Sequence, residues 1–273
     1  MVISLQHRGP DAIGEYETVI NNKYVGLGHT RLSILDLSEK GNQPFVSDDA
    51  TIYLVYNGEI YNFPELKKEY LQNESFKSDT DTEVILKLYQ QKGLEFLELL
   101  NGDFSIAILD ENKNKLFLIR DRAGVKPLYY SYQNDALIFG SEIKSILKSG
   151  VKAELATENL QNYFVFKYSP GNQTLFKGIN RLQPAHYLAY DLNDSTIEIK
   201  RYWDPNKSTK YANLSFSEAQ KEIKFLLKDA TEKRLLADVP LGTFLSGGLD
   251  SSIIASFLKD KPEIAHFCAS KET

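Results

Sequence analysis

The chain has 273 residues, 42% hydrophobic, 25% charged and 12% aromatic, with a formal net charge of −5. This composition excludes a disordered chain and suits one or two domains with buried cores. The acidic balance without a basic run argues against a nucleic-acid partner, no apolar run approaches the ~20 residues of a membrane span, and Met1 to Pro10 lacks the apolar core of a signal peptide. One cysteine, Cys268, and four scattered histidines exclude an internal disulfide and a Cys/His metal cluster, so the expectation is a reduced, cytoplasmic protein.

In chain order, β-rich runs come first, at Tyr24 to Ile34 and Thr51 to Tyr56. Thr80-Asp81-Thr82-Glu83 has the spacing of a capping box ahead of a helix carrying Val84, Ile85, Leu88 and Tyr89. Phe104 to Asp110 and Lys115 to Arg120 read as a hairpin around Glu111 to Asn114, apolar at nearly every position and therefore buried on both faces. Pro127 to Ser131 and Ala136 to Phe139 give a second hairpin around Gln133-Asn134-Asp135. Glu142 to Lys148 reads as a short helix capped by Gly150. These elements fit a layered sheet sandwich covered by helices.

After Trp203-Asp204-Pro205, Asn206 to Asn213 is the linker candidate, so the domains are expected at 1–205 and 206–273. A capping box at Ser215 to Glu218 opens a long helix with Ala219, Ile223, Leu226, Leu227 and Ala230 on one side. A strand (Leu241 to Leu245), a glycine loop, a helix (Ser251 to Lys259) and a strand (Ile264 to Cys268) follow, the start of a doubly wound α/β domain.

The loop Ser246-Gly247-Gly248-Leu249-Asp250-Ser251-Ser252 has the parts of an anion site. Two glycines permit positive φ and close approach, the following helix aims its amides at the anion, the serines add donors, and Asp250 could hold Mg²⁺. No Gly-Lys-Ser/Thr is present, so it is not a Walker A loop. The string resembles the pyrophosphatase-type loop of the adenine-nucleotide α-hydrolase superfamily, whose members cleave ATP between its α- and β-phosphates. That resemblance puts pyrophosphate on Ser246, Gly247, Gly248, Asp250, Ser251 and Ser252, with adenine or ribose near Leu245 and Ala269.

The first half carries polar islands at His7 to Asp11, Arg31 to Ile34, Asn57 to Asn62, Ser78 to Glu83, Arg120 to Arg122 and Gly140 to Lys144. Each has an ordinary explanation alone: Asn57-Gly58 as a turn or bulge, Arg31 in a surface pair, Asp81 in a helix cap. Together, in this order and spacing, they resemble the class II glutamine amidotransferase domain of glutamine-hydrolysing asparagine synthetase, over essentially the whole chain. The resemblance implies an α+β domain first, an αββα sandwich of the N-terminal-nucleophile-hydrolase type. The start of an α/β adenine-nucleotide α-hydrolase-like domain follows it.

The resemblance assigns Arg31 to the glutamine α-carboxylate, Glu59 and Asp81 to its α-ammonium, Asn57 and Gly58 to the oxyanion hole, and Ile34 and Leu35 to the pocket wall. It implies glutamine, aspartate and MgATP as substrates, with ammonia attacking β-aspartyl-AMP. No prosthetic group is implied, and homodimerisation is left open.

The resemblance also implies an N-terminal cysteine nucleophile on an opening strand. The sequence begins instead with Met1-Val2, inside the family's first helix. Cys268 lies on a strand of the other domain and is expected to be a buried apolar filler. Without a nucleophile the chain is expected not to hydrolyse glutamine. The acceptor pocket is implied to lie beyond Thr273. The alternatives are a relative that amidates another acceptor and a non-catalytic glutamine-binding fragment.

Overall fold

A computed structural model describes residues 1–205 and 209–268. The chain divides into two compact units, Met1–Ser33 with Ser38–Asp204, and Ile34–Leu37 with Pro205–Thr273.

The first unit opens with a 3-10 helix, Val2–Arg8, then the hairpin β1 (Ala12–Ile20) and β2 (Lys23–Arg31). Asn21 and Asn22, at φ 50° and 62°, make the hairpin's two-residue turn, a geometry asparagine tolerates. β3 (Phe45–Val46), β4 (Ile52–Ile60), α1 (Phe63–Tyr70), α2 (Asp81–Lys92), β5 (Gly102–Asp110) and β6 (Lys115–Arg120) follow. Then come β7 (Tyr129–Gln133), β8 (Ala136–Gly140), α3 (Ile143–Leu147), α4 (Leu160–Phe166), β9 (Asn180–Arg181), β10 (His186–Asp191) and β11 (Ile197–Arg201).

A six-stranded sheet of order β11-β10-β6-β5-β4-β3 is the frame. Its central strands are apolar at successive positions because both faces are covered. Ile52, Leu54, Tyr56, Phe104, Ile106, Ile108, Phe117 and Ile119 point to a core completed by Leu66, Ile85, Leu88 and Tyr89 of α1 and α2. The alternate residues Tyr53, Val55, Ala107, Leu109, Leu116 and Leu118 enter a second core. Its other wall is Val25 and Leu27 of β2, Leu128, Tyr130 of β7 and Leu182. That wall is a layer of two separate sheets, β1-β2 and β8-β7-β9.

Several local expectations are corrected. Asn57 and Gly58 are not a turn; they sit within β4, in register with Ser105 and Phe104 of β5. A Cβ on Gly58 would stand 2.3 Å from the Asp103 carbonyl oxygen and 2.7 Å from Phe104 Cα. The glycine is there because two backbones approach closely. The Thr80 box is half made. Thr80 Oγ1 accepts from Glu83 N, but the Glu83 carboxylate turns to the Lys77 and Ser78 amides. The short helix runs Ile143–Leu147 with Glu142 as its N-cap and Lys148, not Gly150, as its C-cap.

In the second unit, α5 (Phe216–Lys233) starts with the full Ser215/Glu218 capping box. β12 (Gly242–Leu245) and β13 (Ala265–Cys268) pair in parallel around α6 (Leu249–Ser256). Exposed apolar side chains run through it: Ile223 at 57%, Phe244 at 88% and Leu249 at 76%. Cys268, expected to be buried, is exposed, because among the described residues β13 pairs with β12 alone and nothing covers its faces.

Two distant islands meet in the first unit. Glu142 accepts from His7 Nε2 at 2.9 Å, Arg8 Nη1 at 3.2 Å and Lys144 Nζ at 3.0 Å. Burial pushes its carboxyl up, but the bonds from Lys144, His7 and Arg8 outweigh that and hold it at about 2. A lowered carboxyl stabilises the fold fully above its ordinary value of 4.5, and the gain fades as pH falls towards about 2. Glu142→Gln is therefore expected to cost roughly 1 kcal/mol at pH 7 and less at pH 3, read from urea midpoints. A cost that does not shrink at pH 3 would refute the ionised network.

Candidate functional site

β4 carries the candidate site at its C-terminal half. Its first five residues, Ile52 to Tyr56, are buried, and the next three, Asn57, Gly58 and Glu59, emerge half-buried before Ile60 is buried again. The break in hydrophobicity is the sequence signal, and pairing with β5 makes it a rigid platform.

Three groups converge on this platform. Asp81, the first residue of α2, is 5% exposed. Its Oδ2 accepts from the Tyr56 hydroxyl at 2.6 Å and from Ile60 N at 2.9 Å. Burial raises its carboxyl pKa, against the lowering effect of those bonds. Glu59 is pushed up to about 6 by burial and by the neighbouring Asp81 and Asp103 charges, with Lys126 opposing. A buried Asp81 and a Glu59 raised by burial and by Asp81 form a site with an affinity for a cation.

The side-chain amide nitrogen of Asn57 is buried and has no hydrogen-bond partner. A buried donor left unmade costs roughly 1–3 kcal/mol. Such a group in a rigid strand marks the place where a ligand oxygen would be received. Gly58, next along the strand, adds a backbone N–H.

Arg31, at the end of β2, is 6% exposed. Its Nη1 donates to the Ser38 carbonyl at 2.6 Å and to Asn42 Oδ1 at 3.0 Å. A Cβ on Gly41 would come within 2.0 Å of Nη2, so a side chain there would push the guanidinium from its place under the 38–42 loop. Asn42 is followed by Gln43, whose Oε1 accepts from Tyr56 N at 2.6 Å. Arg31, Asn57, Gly58, Glu59 and Asp81 thus belong to one compact unit and share the Tyr56 neighbourhood. Ile34 and Leu35 are grouped with the second unit, where the Ile34 carbonyl accepts from Asp238 N at 2.9 Å.

Sequence reasoning gave no role to His29 or to Asp121 of the Arg120 to Arg122 island. The His29 Nδ1 is buried without a hydrogen-bond partner, and burial lowers the ring's pKa to about 4, so it is neutral at physiological pH. It stands two residues from Arg31 on one strand, hence on the same face; that spacing could have found it. Asp121 is fully buried. It accepts from the backbone N–H of Phe104, Ala123, Val125 and Lys126. With Arg120 donating to the carbonyls of Gly124, Lys126 and Leu182, it ties down the loop that brings Lys126 towards Glu59. The Arg120-Asp121-Arg122 island is thus a loop anchor.

In the second unit, Gly247 has φ +78°, a conformation that favours glycine, and a Cβ there would meet nothing within 4 Å. The open turn leads into α6. Ser246 and Ser251 hydroxyls lie 3.0 Å apart. The Ser251 and Ser252 hydroxyls donate to the Gly248 carbonyl at 3.0 and 2.8 Å, so they must rotate to serve an anion. Leu245 ends β12 and Asp250 is exposed in the first turn of α6. Ala269 lies outside the described residues. A cavity of about 180 Å³ beside α2 holds none of these residues.

The family described as glutamine amidotransferase domain matches residues 1–203, and the family described as asparagine synthase matches residues 222–270. The chain is 38% identical to a putative glutamine-hydrolysing asparagine synthetase 2 of Methanocaldococcus jannaschii, over 96% of this chain and 53% of that protein. It is 38% identical to asparagine synthetase 2 of Bacillus subtilis, over 98% of this chain and 36% of that one. It is also 38% identical to amidase chry2 of Gibberella zeae, over 93% of this chain and 37% of that one. The chain therefore spans about half or less of the length of these relatives. In fold it resembles the glutamine phosphoribosylpyrophosphate amidotransferase of B. subtilis, with a TM-score of 0.53 and 18% identity, covering 97% of this chain and 61% of that one. The chain belongs to the glutamine amidotransferase domain family, in the branch that joins this domain to an asparagine synthase module.

Proposed function

We propose that the first unit binds glutamine as the nitrogen donor for an ATP-driven amidation. The observation that carries this reading is the buried, unpartnered Asn57 Nδ2 beside the raised acid pair Glu59 and Asp81. The acid pair takes the α-ammonium and Arg31 the α-carboxylate, bidentately where its fork allows. Asn57 Nδ2 and the Gly58 N–H then receive the side-chain carbonyl oxygen and the negative charge it gains on attack. In a well-studied protease one such donor is worth about 3–4 kcal/mol of transition-state stabilisation.

Hydrolysis needs a nucleophile. Cys268 is the sole cysteine and belongs to the second unit, exposed at the end of β13. The first unit contains no cysteine, so the reading proposed for it is glutamine binding.

The loop from Ser246 to Ser252 fits the phosphates of ATP. The left-handed Gly247 and the amides at the start of α6 support a nest for an anion, and Asp250, exposed in the first turn of α6, would hold the accompanying Mg²⁺. The ATP would activate a carboxylate acceptor, aspartate in an asparagine synthetase, and the ammonia from glutamine would amidate it. Equal identity to asparagine synthetases and to amidase chry2 favours a second reading with a different acceptor. Product analysis with candidate carboxylates in the full-length protein separates the two.

Glutamine is expected to raise the melting temperature of this chain, and Arg31→Ala and Asp81→Ala each to abolish the shift; an unchanged shift sinks the assignment. Because Glu59 must be ionised to hold an ammonium, glutamine affinity is expected to be flat above pH 7. It should fall as pH drops through about 6, and the step should vanish in Glu59→Gln. In the free protein the sign is opposite. A raised carboxyl favours the protonated fold, so its contribution to stability declines as pH rises from 4.5 to about 6. Gly247→Ala, forced to φ +78°, costs roughly 1–2 kcal/mol locally and is expected to abolish pyrophosphate binding in calorimetry, while Asp250→Ala removes its magnesium dependence.

A further inference from the structure

The second core of the first unit ends in a polar layer, and His29 lies in it. Val25 and Leu27 of β2 pack with Tyr53 and Val55 of β4. Side chains alternate along a strand, so the same face of β2 continues as His29 and Arg31, and that of β4 as Asn57 and Glu59. Gln43 shows that the two rows leave the core at the same end. His29 is paired with Gly14 of β1, and opposite residues of an antiparallel pair share a face. A Cβ on Gly14 would run into the Gln43 carbonyl oxygen. The Gln43 side chain in turn accepts from the N–H of Tyr56, the residue before Asn57. Asn42, beside it, accepts from Arg31.

Among the described residues, two nitrogens of this layer are buried without a hydrogen-bond partner, His29 Nδ1 and Asn57 Nδ2. They are complementary. The Asn57 amide nitrogen can only donate. Burial keeps the His29 ring neutral at physiological pH, and a neutral imidazole with its proton on Nε2 accepts at Nδ1. Leaving either group unmet inside the protein is costly. An orphan donor and an orphan acceptor in one layer call for a ligand group that carries an acceptor and a donor side by side. A primary carboxamide is such a group.

We infer that His29 is a ligand-binding residue of this site, its Nδ1 accepting from the carboxamide –NH2 of the ligand while Asn57 Nδ2 donates to the carboxamide oxygen. This rests on the reading of the first unit as a glutamine site and assigns the two ends of the ligand. His29 and Arg31 are two residues apart, about 6–7 Å along a strand, which suits an extended glutamine between its α-carboxylate and its carboxamide. Arg31 and Glu59 face the amino-acid end, and His29 and Asn57 the carboxamide end. The ring thereby sets specificity. A ligand that keeps the carbonyl oxygen but lacks the N–H leaves Nδ1 unmet, and sites built to bond a polar group discriminate against analogues without it.

The test compares L-glutamine with L-glutamate γ-methyl ester, which keeps the carbonyl oxygen and has no amide N–H. Binding to the 273-residue chain is read by calorimetry in the wild type, His29→Leu and His29→Asn. The wild type is expected to prefer glutamine about tenfold, the worth of one hydrogen bond. His29→Leu should erase that preference and still bind the ester. His29→Asn, whose side-chain oxygen lies close to the place of Nδ1, should restore part of it. A preference that survives in His29→Leu overturns the proposal, and so does an equal loss for both ligands, which marks a packing effect. A second readout needs no variant: glutamine must shift the Nδ1 resonance of His29 in imidazole nitrogen NMR, and the ester must not. Glutamine binding with a silent Nδ1 removes the role of His29 alone. Binding of neither ligand to the wild type removes the glutamine reading and this role with it.

Discussion

The central sheet is covered on both faces, and the rest of the first unit follows from that. β4, β5 and β6 send alternate residues into two cores, so one register slip would exchange the occupants of both. Nothing polar can enter the middle of these strands without a partner. The polar residues of β4 are therefore pushed to its end, where Asn57, Gly58 and Glu59 leave the core while remaining part of the ladder with β5. Rigidity and chemistry meet there because the strand is still paired where it ceases to be apolar.

Burial also sets the electrostatics. Asp81 stands almost fully inside and keeps its proton more readily than a free aspartate, even with Tyr56 and Ile60 bonding it. Glu59 stands further out and is raised by the same neighbour. An entering ammonium would favour the ionised form of both acids. The buried acid Asp121 stands in contrast. Four backbone N–H groups satisfy it, and it is architectural. Partners separate the two cases better than burial does.

The second unit has the opposite character. β12 and β13 form a parallel pair with apolar side chains facing outward, and α5 and α6 bury no residue fully. Parallel strands are ordinarily covered on both sides. The glycine turn is nonetheless formed, because a left-handed Gly247 and a helix start are local properties of the chain. Anion-binding geometry can thus be present in a loop whose surroundings are thinly packed.

Local and periodic features were legible in the sequence. The hairpin around Glu111 to Asn114, the Ser215 capping box, the parallel return after the glycine loop and the two-sided burial of β5 and β6 depend on residues close in the chain or on a repeat of two. The polar islands were legible as islands, and their resemblance to a known family supplied roles for them. Tertiary structure alone decided what each island touches. It placed Asn57-Gly58 inside a strand instead of a turn, because the reason for Gly58 is the backbone of residues 103 and 104 across the sheet. It turned Glu83 from Thr80 to the 77–78 amides, set Glu142 among His7, Arg8 and Lys144, and left Cys268 exposed. A sequence determines what a segment can do with its near neighbours; which distant backbone, charge or void it meets is settled when the cores close, since those contacts exist only in the packed state.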